Sequence, residues 1–532
     1  MRTYPCLSWL VLSACLAATT AFAQTEQPQA PKAAKGAKQQ ARAMAGQQTP
    51  WWMEIDTGPF ISDTMLFSRE GEIAALKGIA IKVGAKREAS LVFDTELLAW
   101  RAGFDGAITL EGTPWNGSHG GATYIPAGDG RIFFTNTGRN LGIGLDGSWA
   151  DTRDPKSGPL PHAVGRYKGL YRHGQQVVLH YTLGGVKVLE RPALETVGEV
   201  RALVRTLNVD ATPQHELAFL VREALPAGEN LRLKKEADVS LIGAPAGVEL
   251  VRAGDGRVTV RIAKGTPATR FKIAYAERAL DTARLAPAED LTTLTHGGPG
   301  LYAQTFKVKG ELDPAAAKKT YAVDVVPLPA DNPWKSPARF GGFDFLPGGR
   351  GIAASTWNGD VWTADGIDGD LAQVTWRRFA SGMFQTLGLK VVDGKIYTQG
   401  RDQITRLHDL NGDGEADHYE CFNNDVRITE GFHEFSFDLE TDREGNFYFS
   451  KAMPVNQGGR GFAPWTPHNG TVMKVSKDGG KLEVVAWGLR APGGVGVSPD
   501  GVVTTGENEG SFVPQCKITW TPPGKLTFNG VV

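Results

Sequence analysis

The stretch DLNGDGEADHYE, residues 409 to 420, spaces its oxygen-bearing side chains as a calcium loop does. Asp409, Asn411 and Asp413 fall at positions one, three and five of a twelve-residue loop. Gly414 takes the sharp turn, Glu415 the position that uses its backbone carbonyl, Asp417 position nine and Glu420 position twelve. A calcium sensor needs a helix on each side of such a loop, whereas the flanks KIYTQGRDQITRL and CFNNDVRI read as strands and turns. The spacing therefore predicts a static calcium site, with Glu420 its least secure ligand outside an EF-hand. An ion-free Asx-rich turn stays open beside it, because Asn, Asp and Gly close tight turns unaided.

Other groups with chemical potential are more scattered. TPWNGSHGG, residues 113 to 121, gathers Trp115, Asn116 and His119, an aromatic face with amide and imidazole groups of the kind that stacks on and hydrogen-bonds a sugar. Loop packing is the alternative for these three. Glu507 and Glu509 lie two apart on a strand, so they share a face and suit a cation or a sugar hydroxyl, or else a solvated turn. His173 and His180 straddle a hairpin at a spacing that puts them on opposite faces of a continuous strand, which argues against a metal pair. No G-x-S-x-G, H-E-x-x-H, Walker or Rossmann pattern occurs, so hydrolase, zinc-protease and nucleotide-dependent readings have no motif behind them.

The chain that must position these groups has 532 residues, 41% of them hydrophobic, enough for two or more packed domains. Its 57 basic and 58 acidic residues nearly cancel, which excludes a nucleic-acid partner on electrostatic grounds. The opening MRTYPCLSWLVLSACLAATTAFAQ reads as an export signal over residues 1–23, cleaved before Gln24, and predicts a periplasmic or extracellular protein. Leu12-Ser13-Ala14-Cys15 also resembles a lipobox that would anchor the chain at Cys15; simple cleavage is preferred because the apolar run continues to Phe22. No later segment approaches the ~20 apolar residues of a membrane span. Only Cys421 and Cys516 remain after the signal, and a disulfide and two free thiols are equally compatible with their positions.

With 66 glycines, 31 prolines and few amphipathic helical windows, the composition predicts an all-β chain. Residues 24–50, rich in Ala, Gln, Lys and Pro, read as a disordered linker. Alternating runs such as QQVVLHYTL, VKVLERP and RVTVRIA predict one β-sandwich over 51–330. After the proline-rich join VVPLPADNPWKSPARF the rhythm changes. Units beginning near 342, 388, 435 and 494 each repeat an apolar strand, a D-G or E-G-N turn and a second strand. Their spacing of roughly 40–60 residues is that of propeller blades and predicts three to four blades of a six-bladed type over 337–532. The calcium-type loop then lies on the outer side of one blade.

FHEFSFDLETDREGNFYFS followed by GLRAPGGVGVSPDGVVTTGENEGSFVP resembles the core of the PQQ-dependent sugar-dehydrogenase-like propellers related to soluble quinoprotein glucose dehydrogenase. Residues 51–532 as a whole look like exported bacterial proteins in which an uncharacterised β-domain precedes such a propeller, often with a cytochrome c domain. The resemblance implies oxidation of a sugar or polyol hydroxyl, with His433 as general base, Arg490 on the PQQ cofactor and a cytochrome c as electron acceptor. One departure is Ala491, where the family has Asn. The competing reading is a non-catalytic carbohydrate-binding or scaffold propeller.

Overall fold

The computed structural model describes residues 51–67, 73–113, 116–123, 131–138, 140–212, 214–223, 238–254, 256–431, 433–454, 464–508 and 516–528. Residues Trp51–Val532 form a single compact unit. The segments expected to be an export signal (1–23) and a linker (24–50) lie outside the described residues. Among the described residues there is no α-helix, only four short 3₁₀ turns, and no helix is long and apolar enough to cross a membrane. The protein is all-β, an N-terminal sandwich followed by an incomplete propeller.

The sandwich strands run from Phe60 to Ala276. Seven make one sheet, from Thr109–Thr113 at one edge to Ile132–Thr135 at the other, and four more, including Leu217–Arg222 and Val258–Ile262, make a second. Ala89–Asp94 is buried on both faces and carries Leu91, Val92 and Phe93 in succession, while Gly165–His173 mostly alternates buried and half-buried positions. The large core between the layers holds Phe93, Trp100, Phe134, Tyr181, Phe219 and Tyr275. The Glu190 carboxylate at this depth is fully paired, accepting hydrogen bonds from Trp100 Nε1 (2.9 Å), Tyr181 Oη (2.6 Å) and Arg205 Nε (2.5 Å).

Four successive meanders form the propeller-like half, and their inner strands begin at Phe340, Gly388, Ser436 and Pro492, at the starts of the sequence repeats. Among the described residues, blades 1 to 3 have four strands in sequence order, Thr527–Phe528 adds a parallel strand to the edge of blade 3, and blade 4 has three, Pro492–Val497, Val503–Glu507 and Lys517–Thr521. The repeat explains how blades join. Asp344 of GFDF and Asp438 of SFDL hold equivalent positions, and each carboxylate accepts a backbone N–H from the next inner strand, from Val391 (2.9 Å) and Val495 (3.1 Å) respectively. Gly388 is required at this seam, since a Cβ there would lie 2.3 Å from the Asp438 carbonyl oxygen.

Among the described residues, two strand pairings tie the halves together. Thr305–Val308, within the 51–330 span, hydrogen-bonds to Val374–Ala380 as a fifth strand of blade 1. The outer strand of blade 2, His418–Asn423, pairs with Gly165–His173, so blade 2 and six sandwich strands form a continuous ten-stranded sheet. Cys421 is buried and Cys516 exposed, and both are free thiols.

Candidate functional site

His433 and Arg490 reach one rim of blades 3 and 4 through a chain of backbone contacts. His433 sits half-buried in the turn before Ser436–Thr441, its ring 5.9 Å from Phe435. The Phe435 carbonyl accepts from Ala452 N–H (2.8 Å), and the next residue, Met453, donates its N–H to the Arg490 carbonyl (2.8 Å). Glu507 is buried beneath that turn. Its carboxylate accepts the N–H groups of Arg490, Ala491 and Asn508, each at 2.9 Å. The role this gives Glu507 is to pin the backbone at Arg490, in place of the solvated or cation-binding carboxylate expected; Glu509 lies outside the described residues.

Directly behind His433 is a charge cluster that sequence reasoning missed. Glu434 accepts from Arg401 Nη2 (3.1 Å), Thr429 N–H (2.7 Å), Thr429 Oγ1 (3.0 Å) and Asn469 Nδ2 (2.5 Å). Lys451 Nζ lies 3.4 Å from it, and both side chains are fully buried. Burial pushes the Lys451 ammonium down to about 8, against the opposing pull of Glu434. The signal available beforehand was a charged residue at each end of apolar strand pairs, but nothing local states that residues 401, 434 and 451 meet. Two buried cations, Arg401 and Lys451, share the single Glu434 carboxylate. With all three side chains shut off from solvent, the set presents no accessible cation to a planar, anionic quinone and does not fit one, and no step through one is derived.

Beside the Arg490 turn a groove opens between Met453, Pro467, Asn469 and Leu489, flanked by Trp465 and Trp487. Both tryptophans are well exposed, at 65% and 47%. Asn469 links the groove to the cluster through its bond to Glu434.

The calcium-type loop connects the third and fourth strands of blade 2. Asp409 accepts N–H bonds from Gly412 (2.7 Å), Asp413 (3.2 Å) and Gly414 (2.9 Å), and Gly414 takes the positive φ of +85° expected of it. Asn411 Oδ1 accepts from Asp413 N–H (3.1 Å) and Asp413 Oδ1 from Glu415 N–H (2.9 Å). The Glu415 side chain is buried, accepting from Leu301 N–H (2.7 Å), Tyr302 N–H (2.6 Å) and Arg172 Nη2 (3.3 Å). Asp417 accepts from Leu410 N–H (3.0 Å) and lies 3.7 Å from Arg172. Glu420 points away from the loop, to Arg406 and His408. Trp115 lies outside the described residues, and Asn116 and His119 fall on the strand Asn116–Thr123, where side chains are not described.

A family described as a domain of unknown function, DUF6797, matches residues 91–190, within the sandwich. No curated protein matches the chain. Among solved structures, the PQQ domain of pyranose dehydrogenase from Coprinopsis cinerea is similar at 12% identity and a TM-score of 0.26, covering 32% of this chain and 44% of that one. An oxidoreductase given provisionally as a glucose dehydrogenase, from Thermus thermophilus, is similar at 16% identity and 0.27, covering 35% and 63%. The chain thus spans about half the length of these two solved chains, and scores this low establish neither a shared fold nor a shared activity.

Proposed function

We propose that the rim of blade 3 binds a carbohydrate or related polyol. The observation that carries this reading is the groove flanked by exposed Trp465 and Trp487, with Asn469 between them and the charge cluster. Exposed indole faces offer a sugar ring a flat apolar platform, while the buried Asn469 amide, fully bonded within the protein, fixes the floor of the groove. Isothermal titration of the full chain against a panel of neutral oligosaccharides and polyols tests it. The expected result is binding to at least one member that Trp465→Ala and Trp487→Ala each weaken at least tenfold without lowering the melting temperature. Absence of binding across the panel at millimolar concentration overturns it.

A second reading, oxidation of a sugar hydroxyl with His433 as base, Arg490 on PQQ and a cytochrome c as acceptor, has one observation in its favour: both residues stand on the same rim. The burial of the Arg401, Glu434 and Lys451 charges there counts against it. Reconstitution with calcium and PQQ, followed by dye reduction with the same panel, decides between them. No quinone retention and no turnover leave binding alone.

A further inference from the structure

The outer hairpin of blade 2 carries groups that the blade 3 rim does not use. Strand Ile404–His408 pairs with His418–Asn423 so that His408 stands opposite His418 and Arg406 opposite Glu420. Residues two apart on a strand share a face, so all four side chains project from one side in two rungs. Gly165–His173 extends both rungs, with Tyr171 opposite His418 and Gly169 opposite Glu420. Tyr171 stacks on His418 (centroids 4.1 Å, 12° between planes), and His418 faces His408 (5.0 Å, 23°). Gly169 leaves its place in the second rung open, and no larger residue fits, because a Cβ would lie 2.2 Å from the Tyr419 carbonyl oxygen.

His408, His418 and Glu420 each bring one ligand atom to within 4.8 Å of the other two. His408 Nε2 is 2.7 Å from Glu420 Oε2. Arg406 holds the same carboxylate in a fork, Nε to Oε2 at 2.7 Å and Nη2 to Oε1 at 2.8 Å. Nε2 of His418 is buried with no hydrogen-bond partner, a state that ordinarily needs a reason. The His408 and Glu420 side chains keep 20% and 26% of their surface open to solvent, so an ion can reach them.

We propose that His408, His418 and Glu420 form a binding site for a borderline divalent transition metal of the zinc type, one nitrogen from each imidazole and one carboxylate oxygen, with solvent in the fourth position. Two imidazoles and a carboxylate are a set that zinc accepts in open tetrahedral sites, at about 2.0–2.2 Å per ligand. Imidazole nitrogen selects zinc, nickel or copper against calcium and magnesium, which want oxygen alone. The ion replaces the direct His408 to Glu420 hydrogen bond. Arg406 continues to orient the carboxylate from behind, and the Tyr171 ring limits rotation of His418. The site is independent of the carbohydrate reading and is set apart from the loop at 409–417, since Glu420 turns away from it.

The full chain is titrated with zinc against a chromophoric chelator, and separately with cobalt while its visible absorption is followed. The expected result is one equivalent of zinc that excess calcium does not displace, and cobalt bands of tetrahedral intensity. His408→Ala and His418→Ala each weaken zinc at least tenfold and erase the bands, whereas His180→Ala and Asp413→Asn leave both unchanged. His418→Gln keeps the volume against Tyr171, so a loss of zinc with unchanged circular dichroism separates ligation from folding. No zinc uptake by the wild-type chain, or uptake unaltered by His408→Ala and His418→Gln, overturns the site.

Discussion

The carboxylate of Glu434 and the ammonium of Lys451 lie 3.4 Å apart with neither side chain reaching solvent, and Arg401 Nη2 approaches the same carboxylate at 3.1 Å. One anion therefore faces two buried cations from different blades. Lys451 begins no catalytic chain by this geometry; it is held by a carboxylate that Thr429 and Asn469 also bind.

Removing that anion leaves both cations buried and uncompensated, which typically costs about 3–5 kcal/mol. Glu434→Gln is expected to lower stability in urea by this order, with most of the loss recovered when Lys451→Met is added. A loss below about 1 kcal/mol for the single variant would mean that the pair contributes nothing beyond its hydrogen bonds.

Lys451 also predicts a pH dependence. Burial sets its folded value at about 8, below the ordinary lysine value of 10.5. Between these limits the unfolded chain holds more protons, so this group makes stability rise as pH climbs from about 8 to 10.5. Melting temperatures across that range should show a steeper rise for the wild type than for Lys451→Met. Parallel curves would contradict the assignment.

Asp402 works in the opposite direction. Burial raises its carboxyl to about 6, against the pull of Lys77 and Arg401. The folded chain then holds the extra proton between about pH 4 and 6, and this contribution is lost as pH rises through that window. Asp402→Asn should exceed the wild type in stability at pH 7 and lose that advantage near pH 4, as read by thermal unfolding at both values.

For the loop at 409–417, we propose calcium bound through Asp409, Asn411, Asp413, the Glu415 carbonyl and Asp417. Arg172 stands 3.7 Å from Asp417, and its positive charge places the affinity at the weak end, on the order of 10⁻⁴–10⁻³ M. Millimolar calcium should raise the melting temperature of the wild type and have less effect on Asp413→Asn. An unchanged melting temperature would show that the Asp409 hydrogen bonds close the loop without an ion.

Local pattern determined much of this protein. Strands and turns follow from period-two alternation punctuated by glycine, and the four repeat starts coincide with the four inner strands because each blade is a local meander. The turn of DLNGDG was legible for the same reason: Asp409, Asn411 and Gly414 act on neighbours within five residues. What only the tertiary structure decided is which distant strands meet. Register across a pair is local, so His408 opposite His418 is within reach of a hairpin argument, but Tyr171 stacking on His418 requires a sandwich strand to dock on blade 2. Glu507 reaches the Arg490 turn inside blade 4's own hairpin, opposite Pro492, but Arg401 meets Glu434 and Lys451 only once blades 2 and 3 pack. Such meetings depend on burial and charge compensation between segments far apart in the chain, and no window of neighbouring residues contains both partners.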